Sequence, residues 1–531
     1  MVKDTKEAVS SVEVQAKPLL SKDEIGTVVS SMDGPSPSAL DVVIYSGKLH
    51  RGQFVEMDYS EGTMVCLVTD VIKSNRYFER VESVKEFESS GHKLFEQFPA
   101  HEWEFLVAKT RPLGVYFEKR IKRPTFPPSP GTKVRVASRD TLEKFLGFDL
   151  KEGLMLGEIE HHNVPVKLNL SRLFQKHLAV LAMSGAGKSH FVAVMLEELL
   201  LRKKEQGRIG VVVMDAHGEY RSFAEPCTDP RCQDFSSRSR YVKASQVQIG
   251  VPKLSIGLLA ALIPGLSAPQ KRDLARIIDK LRREMKDGMG PFDFNAVKSE
   301  IFADEEIKGT TKDALVGWIM SLEQLNLFGK TDNPSINDLV KPGQLTIIDL
   351  SDIIDLRKKQ IIVAYYARKL FDERRSRRVP PFTIVVEESH NFAPEKVSKE
   401  GSISKHVIET IAREGRKFGA SICLISQRPV NLSTTALSQC NTHLIMRITN
   451  PYDLDHIKQT SEGIDQRSVD MITSLRVGEA LLVGEAVNYP AFFKVRRRLS
   501  QESSHEGTLE KAAKEFEDTK EAASKDLDDY L

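Results

Sequence analysis

The chain has 531 residues, of which 40% are hydrophobic and 28% are charged. These are ordinary values for a globular protein, and they exclude a collagen-like chain, wholesale disorder and a bundle of membrane helices. At roughly 100–200 residues per domain, the length predicts two to four domains. The 76 Lys and Arg nearly balance the 74 Asp and Glu, so bulk charge does not indicate a nucleic-acid ligand.

The charge is unevenly distributed along the chain. Residues 501–531 carry ten acidic and four basic side chains. The rest of the chain therefore has a surplus of about eight positive charges, which permits a polyanionic partner without requiring one.

The cysteines and the apolar segments indicate the compartment. Five cysteines are an odd count in a long chain, which favours a reducing compartment over a disulfide framework. Cys227 and Cys232 lie close in sequence, but no second Cys or His pair stands at zinc-site spacing, so incidental thiols are favoured. The N-terminus lacks the apolar core of a signal peptide, and the longest apolar run, thirteen residues from Leu254, contains Pro264. We therefore expect a soluble, cytoplasmic protein without a membrane partner.

The first part of the chain has the pattern of a small β domain. Residues 1–22 are polar and are predicted to be mobile. Residues 23–145 contain short alternating runs such as DVVIYSG, TMVCLVTDV and KVRVAS, which Gly, Pro or charged turns separate. Alternation of period two at this spacing predicts a β-barrel or sandwich.

Residues 146–500 have the pattern of an α/β core. Continuous apolar runs alternate with helical patterns, which predicts a parallel-rich sheet with strands buried on both faces. The runs are LAVLA (178–182), VVVMD (211–215), LTIIDL (345–350), FTIVVEE (382–388), ASICLIS (420–426), THLIMRI (442–448) and ALLVG (480–484). Residues 266–330 show only amphipathic helical patterns and are interpreted as an inserted helical subdomain. Residues 485–531 form a C-terminal extension, whose acidic tail is a solvated helix or disordered.

The strongest motif is AMSGAGKS, from Ala182 to Ser189, between a predicted strand and a predicted helix. Gly185 and Gly187 allow backbone N–H groups to approach phosphate oxygens closely. Lys188 can reach the β and γ phosphates, and the Ser189 hydroxyl can bind Mg²⁺. Ala182 replaces the usual first glycine, which is a mild departure. The predicted nucleotide-contacting residues are Ser184, Gly185, Ala186, Gly187, Lys188, Ser189 and His190.

A phosphate-binding loop needs acidic partners, and three strand ends offer them. Asp215 ends VVVMD, Asp349 ends LTIID, and Glu387 and Glu388 end TIVVEE. Because only the last offers two adjacent carboxylates, we assign Glu387 to a Mg²⁺ ion and Glu388 to activation of water. A structural role at a strand end is favoured for Asp349, whereas for Asp215 catalysis and structure stay open.

Three further side chains follow or precede the strand ASICLIS. Gln427 follows it and could sense the γ-phosphate or orient water, or could simply cap the strand. Arg413 and Arg416 precede it in AREGRKFG. Arginine suits transition-state phosphate charge and is often supplied by a neighbouring subunit, but a solvated helix face is an equal alternative.

Other charged residues give weaker signals. His390 lies beside the acidic pair, although a lone histidine is more often structural. The basic run after the last strand could touch a phosphate across a subunit boundary, but a solvated basic edge is favoured. The run consists of Lys494, Arg496, Arg497 and Arg498, and a second cluster, Arg374–Arg378, is interpreted as a helix end.

Five motifs in order resemble one family. They are AMSGAGKS, VVVMDAHGEY, TIVVEESHNFAPE, AREGRKFGASICLISQRP and NTHLIMRITNP. Together they resemble the HerA branch of the HerA/FtsK translocases over residues 150–500. The resemblance implies a RecA-like P-loop core, an N-terminal HAS-barrel, a helical subdomain and a C-terminal brace.

The resemblance also implies a function. Members of this family form hexameric rings that hydrolyse ATP with Mg²⁺ and drive double-stranded DNA through a central channel. They work with the NurA nuclease in archaeal DNA end resection for homologous recombination. By this match Lys188, Glu388, Gln427 and Asp215 act within one subunit, and Arg413, with Arg416 second, acts on the neighbour's nucleotide. The resemblance does not place the DNA-facing loops in this sequence, and residues 233–245 are one candidate for a channel loop.

Two other classes remain open. A conjugation or chromosome-partition motor of the same superfamily usually carries membrane helices, which this sequence lacks. A P-loop switch or scaffold would bind ATP and recruit a nuclease without moving DNA. DNA-stimulated ATP hydrolysis separates the second alternative from a motor.

Overall fold

The computed structural model describes residues 24–30, 34–46, 48–75, 78, 81–90, 104–118, 120–263, 265–396, 402–461 and 463–502, with a few positions between 510 and 517. The predicted mobile segment 1–22 and most of the predicted acidic tail lie outside the described residues. The chain divides into two compact units, Met1–Phe145 and Leu146–Leu531.

The first unit is a closed antiparallel barrel. Six strands close in the order β1–β7–β3–β4–β5–β2 and back to β1, while β6 pairs with β5 outside the ring. The elements are β1 (Glu24–Val29), β2 (Leu40–Ile44), β3 (Phe54–Tyr59), β4 (Gly62–Asn75), α1 (Val81–Ser89), β5 (Glu104–Phe117), β6 (Arg120–Lys122), β7 (Lys133–Val136) and α2 (Arg139–Leu146).

The alternating sequence pattern explains this barrel. In β2, Leu40, Val42 and Ile44 are buried, and the two residues between them are half-buried. Successive side chains of a strand point to opposite faces, so one set fills the interior while the other lies outside. The predicted N-terminal β-barrel is confirmed.

The second unit is built on an eleven-stranded sheet with helices around it. Its strands are β8 (Leu154–Ile159), β9 (Val164–Leu168), β10 (Leu178–Leu181), β11 (Gly210–Asp215), β12 (Ser239–Lys243), β15 (Leu345–Asp349), β16 (Phe382–Val386), β17 (Ala420–Ser426), β18 (Thr442–Ile445), β19 (Glu479–Gly484) and β20 (Ala491–Val495). A separate pair consists of β13 (Ile249–Gly250) and β14 (Phe328–Gly329).

The helices of this unit surround the sheet and extend from it. They are α3 (Leu170–Phe174), α4 (Lys188–Leu201), α5 (Ile256–Leu262), α6 (Ala268–Glu284), α7 (Phe294–Ala303), α8 (Gly309–Glu323), α9 (Ile336–Leu339), α10 (Leu356–Arg375), α11 (Lys405–Glu414), α12 (Thr434–Leu437), α13 (Pro451–Thr460) and α14 (Gln466–Thr473). Within the described part of the chain, none has both the length and the apolar character needed to cross a bilayer.

The order of the strands brings most of the predicted site residues to one edge of the sheet. The order is β12–β15–β11–β16–β17–β10–β18–β19–β20–β8–β9, and the seven strands from β12 to β18 run parallel. All residues of β10, β11, β16 and β17 are buried, as the continuous apolar runs predict. The carboxyl ends of β16, β17 and β10 therefore meet at one edge of the sheet, side by side.

The other half of the sheet and the helical segment differ from the expectation in detail. β19, β20, β8 and β9 pair antiparallel, so the predicted strand ALLVG begins an antiparallel edge. The predicted helical insertion 266–330 contains α6, α7 and α8, but helical structure begins earlier, because the apolar run from Leu254 forms α5. The short strand β14 lies inside the predicted all-helical range.

Candidate functional site

A glycine-rich loop joins β10 to α4. Gly185 and Gly187 have φ values of +76° and +101°, a left-handed conformation that favours glycine. A Cβ atom on Gly187 would lie 3.2 Å from the backbone nitrogen of Gly478, so a side chain there would require a small shift of that neighbouring backbone. Helix α4 starts directly after Gly187 and presents its unpaired N–H groups to the loop, an arrangement that attracts anions.

Lys188, the first residue of α4, faces the acidic pair. Its Nζ atom lies 3.3 Å from Oε1 of Glu387 and 3.2 Å from Oε1 of Glu388. All three side chains are buried. Burial lowers the pKa of Lys188, but attraction to Glu387 and Glu388 outweighs it, and the net shift is upward. The lysine is therefore charged and held between two carboxylates.

Glu387 has one partnered and one unpartnered oxygen. Its Oε1 accepts a hydrogen bond of 3.1 Å from the Tyr220 hydroxyl, while its Oε2 is buried without a hydrogen-bond partner. Burial holds the pKa of Glu387 well above its ordinary value against the attraction of Lys188, and Asp215 and Glu219 raise it further. A cation near Oε2 would stabilise the ionised form of this buried carboxylate.

A metal at this position would depend on the nucleotide. Within the described ranges, no three His, Cys, Asp or Glu side chains are arranged to hold a metal by themselves. Mg²⁺ is commonly bound by one or two side chains together with substrate phosphates. The unpartnered Oε2 of Glu387 fits this requirement, and Ser189 lies next to Lys188 on the first turn of α4.

Glu388 is the centre of a polar cluster. Its backbone is left-handed, with φ +45° and ψ +44°, which costs about 1–3 kcal/mol for a residue other than glycine. Its Oε1 accepts a 2.7 Å hydrogen bond from Nε2 of Gln427 and lies 3.5 Å from Nε2 of His217. Nδ1 of His390 lies 3.4 Å from its Oε2. These contacts hold the Glu388 carboxylate between Lys188 and Gln427.

His390 therefore contacts the acidic pair as well as the sheet. Its Nδ1 is 3.2 Å from Oγ of Ser426, the last residue of β17. Burial lowers the pKa of His390, opposed by Glu388, so the ring is predominantly neutral at neutral pH. The structural role predicted for this histidine is compatible with these contacts.

Asp215 has a different environment from the one a catalytic group needs. It is fully buried, and its two oxygens accept backbone N–H groups of residues 217, 218, 219 and 220 at 2.8–3.3 Å. These bonds fold the turn that brings His217 and Tyr220 to the acidic pair. Of the two roles that the sequence left open for Asp215, catalytic and structural, these contacts favour the structural one, in which Asp215 positions the turn.

The remaining residues of the loop differ in their exposure and in their contacts. Ser184 and Gly185 are exposed, whereas Ala186 is buried and its carbonyl accepts the Gly478 N–H at 3.1 Å. Nε2 of His190 lies 2.8 Å from the carbonyl oxygen of Arg496, so this ring is engaged with the chain itself. The backbone N–H of His190, in the first turn of α4, lies near the loop.

Arg413 and Arg416 are not brought to the loop of their own chain. Both are exposed and lie before Ala420, the first residue of β17, whereas the loop adjoins the opposite, carboxyl end of that strand. Seven residues of extended chain separate the two edges by roughly 20 Å. These arginines therefore lie too far from the loop of their own chain to contact a nucleotide bound there.

Two other predictions differ from the structure in part. Residues 239–243 of the candidate channel loop 233–245 form β12, an edge strand paired with β15. The basic run is not uniformly a solvated edge, because Arg496 is largely buried and ion-paired with Glu197 and Glu198, both at 2.8 Å. Lys494 and Arg497 are exposed, as expected.

Asp349 and the cysteines behave as structural residues. Asp349 ends β15 and accepts the N–H of Ser351 at 2.8 Å and the hydroxyl of Tyr241. Cys227 and Cys232 are free thiols. Neither feature adds a chemical group to the cleft.

The cleft itself has a volume of about 350 Å³. Beside the loop residues and Gln427, it is lined by Glu219, Tyr220, Val477, Arg498 and Glu502, of which only Arg498 was a candidate phosphate contact from the sequence. The DAHGEY motif after β11 was a usable signal for Glu219 and Tyr220. Arg498 belongs to the basic run after the last strand, for which the sequence favoured a solvated edge; instead it lines the cleft of its own chain.

A strand–loop–helix with a buried lysine facing two carboxylates at a neighbouring strand end defines a P-loop NTPase. Residues 154–370 match the family model described as Helicase HerA, central domain. A probable helicase of Methanocaldococcus jannaschii is 29% identical, over 84% of this chain and 86% of its own length. The chain is therefore similar to HerA-type helicases over most of its length, and its residues 154–370 match their central domain.

A second relative and one solved structure are also similar to the chain. A protein of Pyrococcus furiosus named DNA double-strand break repair helicase HerA is 27% identical, over 85% of this chain and 88% of its own length. The structure of VirB4 of Thermoanaerobacter pseudethanolicus superimposes with a TM-score of 0.50 at 14% identity, covering 66% of this chain and 97% of that one. The second likeness concerns the fold alone.

Proposed function

We propose that this protein is an ATP-driven translocase or helicase for double-stranded DNA that acts in DNA repair. One observation carries the enzymatic part: Nζ of Lys188 lies within 3.3 Å of both Glu387 and Glu388 at the end of the P-loop. The DNA part is supported by the names of the relatives from Pyrococcus furiosus and Methanocaldococcus jannaschii. We further propose a homo-hexameric ring that works with a NurA-type nuclease in end resection.

Lys188 and the loop would bind the triphosphate. The ammonium group is already charged and close to the loop, so binding exchanges its carboxylate partners for phosphate oxygens. Ser189 and Glu387 would hold Mg²⁺, which when bound neutralises charge on the phosphate oxygens. The unpartnered Oε2 of Glu387 would then gain the partner that it lacks.

Glu388 and Gln427 would act on the attacking water. Once Lys188 turns to phosphate, Oε1 of Glu388 loses one of its contacts and can accept a proton from water. The 2.7 Å hydrogen bond from Gln427 keeps the Glu388 carboxylate oriented. It would also hold the Gln427 amide where it can sense the γ-phosphate. This is a positioning role for Gln427 and a catalytic one for Glu388.

Arg413 or Arg416 would complete the site of an adjacent subunit. Both lie at the sheet edge opposite to their own P-loop, so neither can serve it. An arginine supplied by a neighbour stabilises charge on the transferred phosphoryl group and makes hydrolysis depend on assembly. A closed ring satisfies this requirement at every interface.

The decisive experiment measures ATP hydrolysis with and without linear duplex DNA, together with displacement of a third strand from that duplex. A motor hydrolyses ATP faster with DNA and displaces the strand only when ATP is hydrolysed. ATP binding without DNA-stimulated hydrolysis would instead establish a switch or scaffold. Sizing with and without ATP tests the ring, and degradation of duplex ends with an added NurA-type nuclease tests the partnership.

A further inference from the structure

The segment after β20 is fastened to the P-loop helix α4 by one buried carboxylate. Oε1 of Glu197 accepts the N–H groups of Leu499 and Ser500, both at 2.8 Å, and the Ser500 hydroxyl at 2.7 Å. Its Oε2 is ion-paired with Arg496 at 2.8 Å. Glu197 has 0% exposure, so both oxygens are fully used inside the protein. Residues 496–500 therefore have a fixed position relative to the phosphate-binding loop.

Arg496 and Arg498, the two half-buried arginines of this segment, differ in the groups that neutralise their charge. Arg496 has carboxylate partners in Glu197 and Glu198. Nη2 of Arg498 donates to Oγ of Ser500 at 2.9 Å and to the carbonyl of Gln501 at 2.8 Å. Among the residues that the structure describes, no carboxylate oxygen lies within ion-pair distance of Arg498.

Arg498 lines the same 350 Å³ cleft as Lys188, Ser189, His190 and Gln427. Its guanidinium lies 6.0 Å from the centre of the Phe223 ring, which restricts its orientation. Burial lowers the pKa of Arg498 against the attraction of Glu197 and Glu502, as expected for a half-buried cation whose carboxylate neighbours lie beyond ion-pair distance. A half-buried charge of this kind is stabilised by an anion, and guanidinium groups match phosphate oxygens well.

We propose that Arg498 binds the phosphate chain of the nucleotide in its own subunit, and that Glu197 positions it there. The proposal rests on the proposed function, because it assumes that the cleft binds ATP. It assigns a phosphate-binding cation to the segment following the last strand, outside the P-loop and distinct from the arginines expected from a neighbour.

The test measures dissociation constants for ATP, ADP and adenosine with wild type, Arg498→Ala and Arg497→Ala. Arg497 is the matched control, because it is the adjacent arginine and is exposed. Arg498→Ala should weaken ATP and ADP about tenfold or more, as expected for a charge-assisted contact, and leave adenosine unchanged. Arg497→Ala should bind all three like wild type. Unchanged ATP affinity in Arg498→Ala, or equal weakening of adenosine, overturns the proposal. Failure of wild type to bind ATP would overturn the proposed function instead.

The role of Glu197 is tested by combining variants. Glu197→Gln should weaken ATP binding. The double variant with Arg498→Ala should bind ATP no more weakly than Arg498→Ala alone, because both changes remove the same contact, that of Arg498 with phosphate. Additive losses would overturn the positioning role. Should Glu197→Gln fail to fold, Arg498→Lys decides the proposal: partial recovery of ATP and ADP affinity relative to Arg498→Ala supports a phosphate contact, and no recovery contradicts it.

Discussion

The hydroxyl of Tyr220 donates a 3.1 Å hydrogen bond to Oε1 of Glu387, and both side chains are almost completely buried. This bond orients the carboxylate so that its other oxygen, Oε2, remains available for a cation. Tyr220 is held in turn by its backbone N–H to Asp215 at 3.0 Å. The turn after β11 thus determines how Glu387 is presented.

Tyr220→Phe should raise the Mg²⁺ concentration needed for half-maximal ATP hydrolysis by about tenfold to a hundredfold, because a partner that orients a metal ligand is lost. The measurement is a Mg²⁺ titration of ATP hydrolysis. Tyr59→Phe is the control, since it removes a comparable hydroxyl, one that donates to the Phe126 carbonyl at 2.9 Å in the barrel unit. The same Mg²⁺ dependence in both variants would contradict the role of Tyr220.

Lys188→Ala should abolish ATP hydrolysis and strongly weaken ATP binding. The change removes the cation that the loop directs at the phosphates and leaves Glu387 and Glu388 without their shared partner. Binding of a fluorescent ATP analogue and phosphate release check this. Lys204→Ala, at an exposed position after α4, should behave like wild type. Wild-type hydrolysis by Lys188→Ala would refute the assignment of the site.

Glu388→Gln should retain ATP while stopping turnover, because an amide preserves the shape of the side chain but cannot accept the proton of water. Glu387→Gln should instead increase the Mg²⁺ requirement. Both variants are compared by ATP binding, turnover and Mg²⁺ titration. Exchange of the two phenotypes would mean that the roles of these neighbouring carboxylates are reversed.

Arg413→Ala should bind ATP normally but hydrolyse it slower by a factor on the order of 10³ if this arginine acts on a neighbour. Mixing it with Lys188→Ala should recover part of the activity, because some interfaces then combine an intact loop with an intact arginine. The same mixing with Arg416→Ala identifies which arginine acts. Absence of recovery for both would argue that neither is a residue acting between subunits.

Stability should fall in mild acid because of buried neutral histidines. The pKa of His443 is lowered to about 4 by burial, and its neutral ring donates to the Cys440 carbonyl and accepts from Ser461, each at 2.6 Å. Since the unfolded chain binds this proton near pH 6.5, the folded state loses stability as the pH falls from 6.5 towards 4.

The loss from His443 amounts to about 2 kcal/mol between about pH 7.5 and about pH 5. Urea unfolding at the two pH values measures it. His443→Asn cannot titrate and should show a correspondingly smaller difference between them, whatever its absolute stability. An identical pH dependence in the variant and the wild type would contradict this contribution.

The local sequence determined the elements and the core of the site. Continuous apolar runs predicted β10, β11, β16 and β17, because strands buried on both faces need no polar alternation. The motif AMSGAGKS predicted the loop, since its glycines permit positive φ angles next to a helix start. Glu387, Glu388 and Gln427 were identified because polar residues directly after buried strands lie at the carboxyl edge of a parallel sheet.

Tertiary structure alone decided which groups surround that core. Strand order places β16 and β17 beside β10, so the acidic pair meets Lys188 across about 200 positions of sequence. Asp215 became a support for the Tyr220 turn because backbone N–H groups occupy its oxygens. Arg498 reached the cleft because buried Glu197 holds the segment after β20 against α4. Such contacts join segments far apart in the chain, and their geometry depends on packing that no local pattern records.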